Sequence, residues 1–231
     1  MKTYTHIFFD LDHTLWDYDT NSEKVLRDLY EEFELHRLLL ASVDGFLSTF
    51  YKVNASMWNR FNAGEIHRDD IRDDRFDHVI KGCGGRPESG LGSQMSTYFL
   101  HHCPRQTAVM EDADVILPYL HQKYQMSIVT NGFDDVQSVK LKSANLARYF
   151  DHVFTSETIG FRKPSPEIFD HAIEVTGANR TQVLMIGDNP KTDVLGAQNA
   201  GITPLLYDPI GRAKSNCELR ISALGELMKL L

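Results

Sequence analysis

The sequence predicts an α/β protein whose core is a doubly wound, mainly parallel β-sheet, with an all-helical domain inserted after the first strand. Two observations indicate this class. Short apolar runs, too brief to be helices, recur along the chain, and helical patterns separate the later ones. Between the first run and the second lies a long stretch in which the apolar positions recur at helical spacing.

Five apolar segments are predicted to be strands, because parallel strands that are covered on both faces read as short continuous apolar runs. These segments are Thr5–Phe9, Met126–Val129, His152–Thr155, Val183–Ile186 and Ile202–Tyr207. The helices predicted between the last four are Asp134–Ala147, Pro166–Thr176 and Pro190–Ala200. Repetition of strand, helix and strand favours right-handed crossovers, and ligands then bind at the carboxyl ends of the strands.

The predicted domains are an α/β catalytic core, residues 1–15 and 103–231, and a helical domain, residues 16–102. A helical insert placed directly after the first strand indicates a cap over a site at the edge of the sheet. Its predicted helices are Asn21–Leu35, Val43–Phe61, Arg68–Lys81 and Ser93–His101.

Composition narrows the possible partners. The formal net charge of the 231-residue chain is -8, and no run of Lys and Arg stands out, so a nucleic-acid polymer is not expected as a partner. A small phosphorylated metabolite remains possible, because one local positive site is sufficient to bind it. Isolated cysteines, the lack of a signal-peptide pattern and the lack of a long apolar run predict a cytoplasmic protein that does not enter a membrane.

The first predicted strand leads into two acidic residues. Asp10 and Asp12 are two positions apart, so in an extended chain they face the same way while Leu11 points into the core. Two carboxylates about 4 Å apart repel each other by roughly 1 to 4 kcal/mol, depending on the surroundings. A shared proton or a divalent cation would offset that repulsion, whereas an ordinary surface turn would leave both acids solvated.

A second acidic segment follows the strand Val183–Ile186. Asp188 stands at the end of that strand, and Asp193 lies in the first turn of the next helix, where a carboxylate also has a capping function. If both loops share one edge of the sheet, Asp10, Asp12 and Asp188 converge. Oxygen ligands without a nearby His or Cys suit Mg²⁺.

Two further segments supply groups for a phosphate. Thr130 and Asn131, followed by Gly132, offer a hydroxyl, an amide and a flexible backbone before a helix, although a plain turn has the same composition. Lys163 precedes Pro164 in a loop and could bring a compact positive charge to the site, or could equally be a solvated lysine.

Four motifs in this order resemble the haloacid-dehalogenase-like hydrolase superfamily. The resemblance covers about residues 1–15 and 103–210. The motifs are DLDHT at 10–14, TNG at 130–132, KP at 163–164 and GDNPKTD at 187–193. The family implies a doubly wound sheet with a cap inserted after the first strand.

The resemblance also implies a mechanism and a cofactor. Asp10 would be the nucleophile and Asp12 the general acid and base, while Thr130, Asn131 and Lys163 would bind the phosphoryl group. This reading describes a phosphatase that forms an aspartyl-phosphate. The dehalogenases of the family lack an acid two residues after the nucleophile, so the presence of Asp12 favours phosphoryl chemistry.

The implied metal is Mg²⁺, held by Asp10, the backbone carbonyl of Asp12 and Asp188, with Asp193 supporting these ligands. The opening segment, residues 9–21, is similar to the branch that dephosphorylates nucleoside 5'-monophosphates. Sugar-phosphate or phosphoglycolate phosphatase, phosphomutase and a non-catalytic phosphate-binding module are the alternatives.

Three side chains near the first motif have open roles. Trp16 and Tyr18 could stack on a base or pack where the cap begins. His13 occupies a position where an aspartate or glycine is more common in the family, and it could alter access to the site or face outward.

Overall fold

The computed structural model describes residues 3–231, which divide into two compact units. The first unit combines the chain up to Tyr18 with Thr107–Leu231, and the second unit is Asp19–Gln106. No helix among the described residues is both long enough and apolar enough to span a bilayer.

The first unit contains a parallel sheet. Among the described residues, six strands join in the order β3-β2-β1-β4-β5-β6, and every neighbouring pair is parallel. The strands are β1 His6–Phe9, β2 Gln125–Thr130, β3 His152–Thr155, β4 Val183–Gly187, β5 Thr203–Tyr207 and β6 Arg220–Ile221. This topology confirms the predicted α/β class. The strand order reverses direction at β1, which is the point where such sheets bind ligands.

The helices of the first unit connect and cover these strands. They are α5 Ala113–His121, α6 Asp134–Ser143, α7 Ser156–Ile159, α8 Pro166–Thr176, α9 Leu195–Asn199 and α10 Leu227–Leu230. A short π-helix, Pro190–Val194, leads into α9. On one side of the sheet Phe8, Val129 and Met185 pack against Phe169 and Ala172 of α8. The central strands are buried along almost their whole length, which explains their continuous apolar runs.

The second unit is helical throughout its regular elements. Its α-helices are α1 Tyr18–Glu32, which begins at the last residue of the first unit, α2 Val43–Asn62, α3 Arg68–Gly82 and α4 Leu91–His102. Buried aromatic rings from three of these helices, Phe50, Phe76 and Phe99, meet with centroids 5.2 to 5.8 Å apart. The predicted helices of residues 16–102 are thus present. Their action as a cap stays a prediction.

Three elements differ from the sequence prediction. The predicted helix Asp134–Ala147 ends at Ser143, because Asn145 adopts a left-handed backbone with φ of 57° and stops the helix. Helix α5 was not predicted, and it contains Pro118, which in a sequence usually indicates the end of a helix. The two-residue strand β6 is too short to show a periodicity.

Candidate active site

The carboxyl ends of three adjacent strands carry the predicted residues. Asp10 follows β1, Thr130 ends β2 and Asp188 follows β4. Strand β1 lies between the other two, and the N–H of Asp10 donates to the carbonyl of Ile186 at 2.9 Å, which continues the ladder to β4. The parallel register therefore places these polar side chains at one edge of the sheet.

Three carboxylates meet at this edge. Asp10, Asp188 and Asp193 each offer an oxygen, and these oxygens lie within 4.8 Å of one another. The hydroxyl of Thr14 donates to Asp188 Oδ1 at 3.3 Å and orients that carboxylate. Carboxylate oxygens at this spacing, with no nitrogen or sulfur ligand among them, suit a hard cation such as Mg²⁺.

Asp193 differs from the other two acids in its partners. Its Oδ2 accepts from the N–H of Asn189 at 2.9 Å, and its Oδ1 lies 2.7 Å from Lys163 Nζ. A Cβ added to Gly187 would lie 2.3 Å from Asp193 Oδ2, so a glycine is needed for this close approach. Because protein groups engage both oxygens of Asp193, the geometry favours a supporting role over direct metal contact.

Lys163 is the buried cation of the cluster. Its side chain is 2% exposed, and its Nζ lies 2.7 Å from Asp10 Oδ1 and 2.7 Å from Asp193 Oδ1. Burial alone would lower the pKa of Lys163, but the attraction of Asp10 and Asp193 raises it above its usual range. Lys163 is therefore charged at neutral pH. Of the two alternatives that the sequence allows, a lysine at the site and a solvated lysine, the structure has the first.

The negative charges of these carboxylates are unfavourable even with Lys163 beside them. Burial, and then repulsion from Asp193 and Asp12, raises the pKa of Asp10 to about 7, while Lys163 opposes this change. Burial, followed by repulsion from Asp193 and Asp10, also raises the pKa of Asp188 well above its usual range. One ammonium group does not balance the three carboxylates of Asp10, Asp188 and Asp193, so the site favours an additional positive charge.

This imbalance predicts how stability changes with pH in the absence of metal. The pKa of Asp10 is 3.8 in an unfolded chain and about 7 in the folded protein, so the folded state holds a proton that the unfolded chain releases. The protonated Asp10 side chain therefore makes its full contribution to the stability of the folded protein below pH 4. That contribution falls by a few kcal/mol as the pH rises to about 7.

Thermal unfolding in EDTA across this pH range, compared between the wild type and Asp10→Asn, checks the prediction. The stability of the wild type relative to the variant should decrease from pH 4 to pH 7. Added Mg²⁺ should reverse the trend, because the metal binds the deprotonated carboxylates and only the folded state presents them together. A relative stability in EDTA that rises with pH would contradict the proposed charge balance.

Thr130 is prepared to donate a hydrogen bond. Its Oγ1 accepts from the N–H of Gly132 at 3.1 Å and from Gln137 Nε2 at 2.9 Å. Because the oxygen already accepts two hydrogen bonds, the hydroxyl group can still donate its hydrogen. A phosphoryl oxygen is a suitable acceptor for it.

Asn131 is placed differently from the prediction. Its Nδ2 donates to the carbonyl of Lys163 at 2.9 Å, and the N–H of Lys163 donates to its Oδ1 at 2.8 Å. The side chain was predicted to bind phosphate, but both ends of its amide bind the backbone of the lysine loop. Asn131 therefore positions Lys163.

Replacing Asn131 with Asp tests this assignment. In Asn131→Asp the acceptor for the N–H of Lys163 remains, but a carboxylate oxygen faces the Lys163 carbonyl where the amide had donated. We expect a loss of stability of about 1–3 kcal/mol, since a buried hydrogen bond is replaced by repulsion. Turnover should fall about 100-fold, because the repulsion would displace Lys163, and a displacement of a catalytic group by about 1 Å has an effect of this size. Urea unfolding and steady-state kinetics check both values, and unchanged kcat would contradict the assignment.

Asp12 has two side-chain partners in α6 that none of the four motifs contains. Lys140 Nζ in α6 lies 2.6 Å from its Oδ1 and 2.8 Å from its Oδ2, and Gln137 Nε2 donates to Oδ2 at 3.1 Å. The Asp12 side chain is 26% exposed, whereas that of Lys140 is 6% exposed. The only sequence signal was their spacing of three residues, which places Gln137 and Lys140 on one face of α6.

Of the two aromatic residues beyond the first motif, Trp16 packs in the interior and Tyr18 is half-buried beside it. Trp16 is fully buried, and its ring lies 6.2 Å from that of Tyr18. Lys140 Nζ lies 4.6 Å from the Trp16 ring and 5.7 Å from the Tyr18 ring. The ring of Trp16 is therefore not exposed for stacking on a base.

His13 packs beside Tyr18, with the centroids of the two rings 5.0 Å apart. Its backbone is left-handed, with φ of 61°.

The fold and the site together define a doubly wound α/β protein with an acidic centre at the carboxyl edge of its parallel sheet. The chain belongs to the haloacid dehalogenase-like hydrolase family, whose model matches residues 4–201. This match confirms the resemblance that the four motifs indicated.

The chain is similar to two pyrimidine 5'-nucleotidases and to one solved hydrolase structure. It is 29% identical over 234 residues to the pyrimidine 5'-nucleotidase YjjG of Escherichia coli, which covers 97% of this chain and 96% of the relative. It is 26% identical over 208 residues to the pyrimidine 5'-nucleotidase PynA of Streptococcus pneumoniae, covering 89% and 84%. The crystal structure of the HAD-hydrolase YfnB from Bacillus subtilis bound to magnesium matches with a TM-score of 0.90 at 26% identity, covering 100% and 99%.

Proposed function

We propose that this protein is a Mg²⁺-dependent phosphatase that hydrolyses a small phosphomonoester, a nucleoside 5'-monophosphate, through a phosphorylated Asp10. The observation that carries the proposal is the cluster in which Asp10 contacts a buried lysine and lies beside Asp188 and Asp193. A nucleophilic carboxylate needs compensating positive charge, which Lys163 and a bound divalent cation would supply together, because a phosphate dianion would otherwise be repelled.

The residues present fit a magnesium ion. The carboxylates of Asp10 and Asp188 carry raised pKa values, and together with Asp193 they outnumber the single ammonium group of Lys163, which is the situation that a divalent cation relieves. Asp10, Asp188 and the backbone carbonyl of Asp12 would hold the ion, with Asp193 behind them. When bound, Mg²⁺ supplies electrostatic stabilisation of the phosphoryl oxygens. The magnesium-bound structure of YfnB supports this choice of metal.

Each side chain of the site has a separate role in the proposed reaction. Asp10 attacks phosphorus, and the bond to the leaving oxygen breaks as Asp12 gives that oxygen a proton. Thr130 donates its hydroxyl hydrogen to a phosphoryl oxygen, and Lys163 balances the charge on Asp10. A water molecule then attacks the phosphorus of the aspartyl-phosphate and gives a proton to Asp12. The bond between Asp10 and phosphorus breaks, inorganic phosphate leaves, and both aspartates are restored.

The substrate class rests on the relatives. YjjG and PynA are both pyrimidine 5'-nucleotidases, and YjjG aligns along almost the whole chain. The helical unit would then act as the cap that selects the base.

The three cysteines are free, which supports a location in the reducing cytoplasm.

Phosphate release from p-nitrophenyl phosphate, from a panel of nucleoside 5'-monophosphates and from sugar phosphates tests the proposal. We expect release with Mg²⁺ and none with EDTA, and a higher kcat/KM for pyrimidine nucleotides than for sugar phosphates. Absence of metal-dependent release at micromolar enzyme would favour a non-catalytic phosphate-binding module. Transfer of the phosphoryl group between positions of a sugar phosphate would instead indicate a mutase.

A further inference from the structure

We propose that Lys140 is a positioning residue for the general acid Asp12, and that it acts specifically in the step that protonates the leaving group. This inference rests on the proposed phosphatase function. It concerns a buried ammonium group that the four motifs do not contain, contributed by the last turn of α6 rather than by a strand end.

The contact between the two side chains is close and two-sided. Lys140 Nζ reaches both oxygens of Asp12, at 2.6 and 2.8 Å. An ammonium group centred on both oxygens restricts the rotation of the carboxylate. Gln137 Nε2 donates to Oδ2 from the same helix at 3.1 Å and fixes the plane of the carboxylate further. Asp12 is therefore held in one orientation.

Lys140 is itself held firmly. The residue is 5% exposed, and its ammonium group lies 4.6 Å from the centre of the Trp16 ring and 5.7 Å from that of Tyr18. A cation within about 6 Å of an aromatic ring is attracted to its face. Both rings belong to the segment that follows Asp12, so Trp16 and Tyr18 hold the ammonium group of Lys140 in place beside the acid.

The difference in exposure separates the roles of the two residues. The Asp12 side chain is 26% exposed and can meet a substrate, whereas the Lys140 side chain is 6% exposed and lies on the buried side of the pair. Lys140 therefore acts through Asp12 rather than on the substrate. When Asp12 transfers its proton to the leaving oxygen, a carboxylate remains, and the adjacent ammonium group stabilises that product of the transfer.

This role predicts a dependence on the leaving group. An alkoxide, as released from a nucleoside 5'-monophosphate, needs a proton from Asp12, whereas p-nitrophenolate is a stable anion that leaves without one. The quantity to compare is kcat/KM, because it reports the reaction from free enzyme to the first irreversible step. Later hydrolysis of the aspartyl-phosphate, which also uses Asp12, does not enter it.

The test measures kcat/KM of Lys140→Met on both substrates with Mg²⁺. We expect a decrease of about 100-fold for the nucleotide and of less than about fivefold for p-nitrophenyl phosphate, since general acid catalysis contributes at least about 100-fold. Lys140→Arg should recover part of the loss because it keeps the charge. Lys142→Met removes an exposed lysine from the same helix and should leave both values unchanged.

Equal decreases for the two substrates in Lys140→Met would overturn the proposal, because a general structural role lowers both together. If Lys140→Met does not fold, Lys140→Gln decides by the same ratio. In the background of Asp12→Asn, adding Lys140→Met should change the ratio no further, and an additional change would also overturn it. A wild type that hydrolyses neither substrate would refute the proposed function instead.

Discussion

Asp10→Asn is expected to abolish turnover while the protein remains folded. The amide keeps the size of the side chain and can still accept a hydrogen bond from Lys163, but it is not a nucleophile. We expect kcat to fall on the order of 10⁴-fold or more, as when the nucleophile of a covalent mechanism is removed. In EDTA at pH 7 the variant should be more stable than the wild type, because one of three crowded carboxylates has been neutralised.

Intact-mass measurement after rapid quenching distinguishes this explanation from a general loss of activity. The wild type should carry the added mass of one phosphoryl group during turnover, and Asp10→Asn should not. Asp114→Asn, which removes an exposed carboxylate in the first turn of α5, is the matched control and should behave as the wild type. A phosphorylated Asp10→Asn protein would assign the nucleophile to another residue.

The strand-end residues could be predicted because the signals for them are local. Asp10 and Asp188 each follow an apolar run directly, and a parallel sheet brings the carboxyl ends of its strands to one edge. Their proximity therefore follows from the fold class alone. Lys163 was harder to assign, since a lysine in a loop is usually solvated. Its burial depends on pairing with Asp10 and Asp193, which is a tertiary property.

The side chains that position these residues, Lys140 and Asn131, could not be assigned from local sequence signals. Lys140 contacts Asp12 across 128 positions of sequence, and within α6 it resembles any polar residue of an amphipathic helix. The amide of Asn131 suits both a phosphate and a backbone clamp, and the sequence does not indicate which way it points. In both cases the side-chain type was compatible with several partners, and only the packing selects one.

Backbone conformation explains one departure from the family pattern. His13 stands where aspartate or glycine is more common, and its φ of 61° lies in the left-handed region. Glycine adopts this region without strain, and Asp and His adopt it more readily than most residues. The position therefore selects residues for the turn after Asp12, where the N–H of His13 donates to the carbonyl of Trp16 at 3.0 Å.

Lys163→Met is expected to reduce both stability and activity strongly. The methionine fills a similar volume, but it leaves Asp10 and Asp193 buried without the ammonium group that lies 2.7 Å from each. Removing one partner of a buried ion pair typically costs about 3–5 kcal/mol. The loss should be smaller at pH 5 than at pH 7, because protonation of Asp10 relieves part of the repulsion. Turnover should fall on the order of 10³-fold, since the phosphate then meets uncompensated negative charge.

A double variant separates these two effects. Lys163→Met combined with Asp10→Asn removes a buried cation together with one buried anion, so we expect it to regain much of the stability lost in Lys163→Met. Activity should stay absent, because the nucleophile is missing as well. Urea unfolding of the single and double variants measures the coupling, with Lys191→Met as the exposed lysine control. If the effects of the two substitutions on stability simply add, Lys163 and Asp10 are not an interacting pair, and the charge balance on which the proposed phosphoryl chemistry depends does not hold.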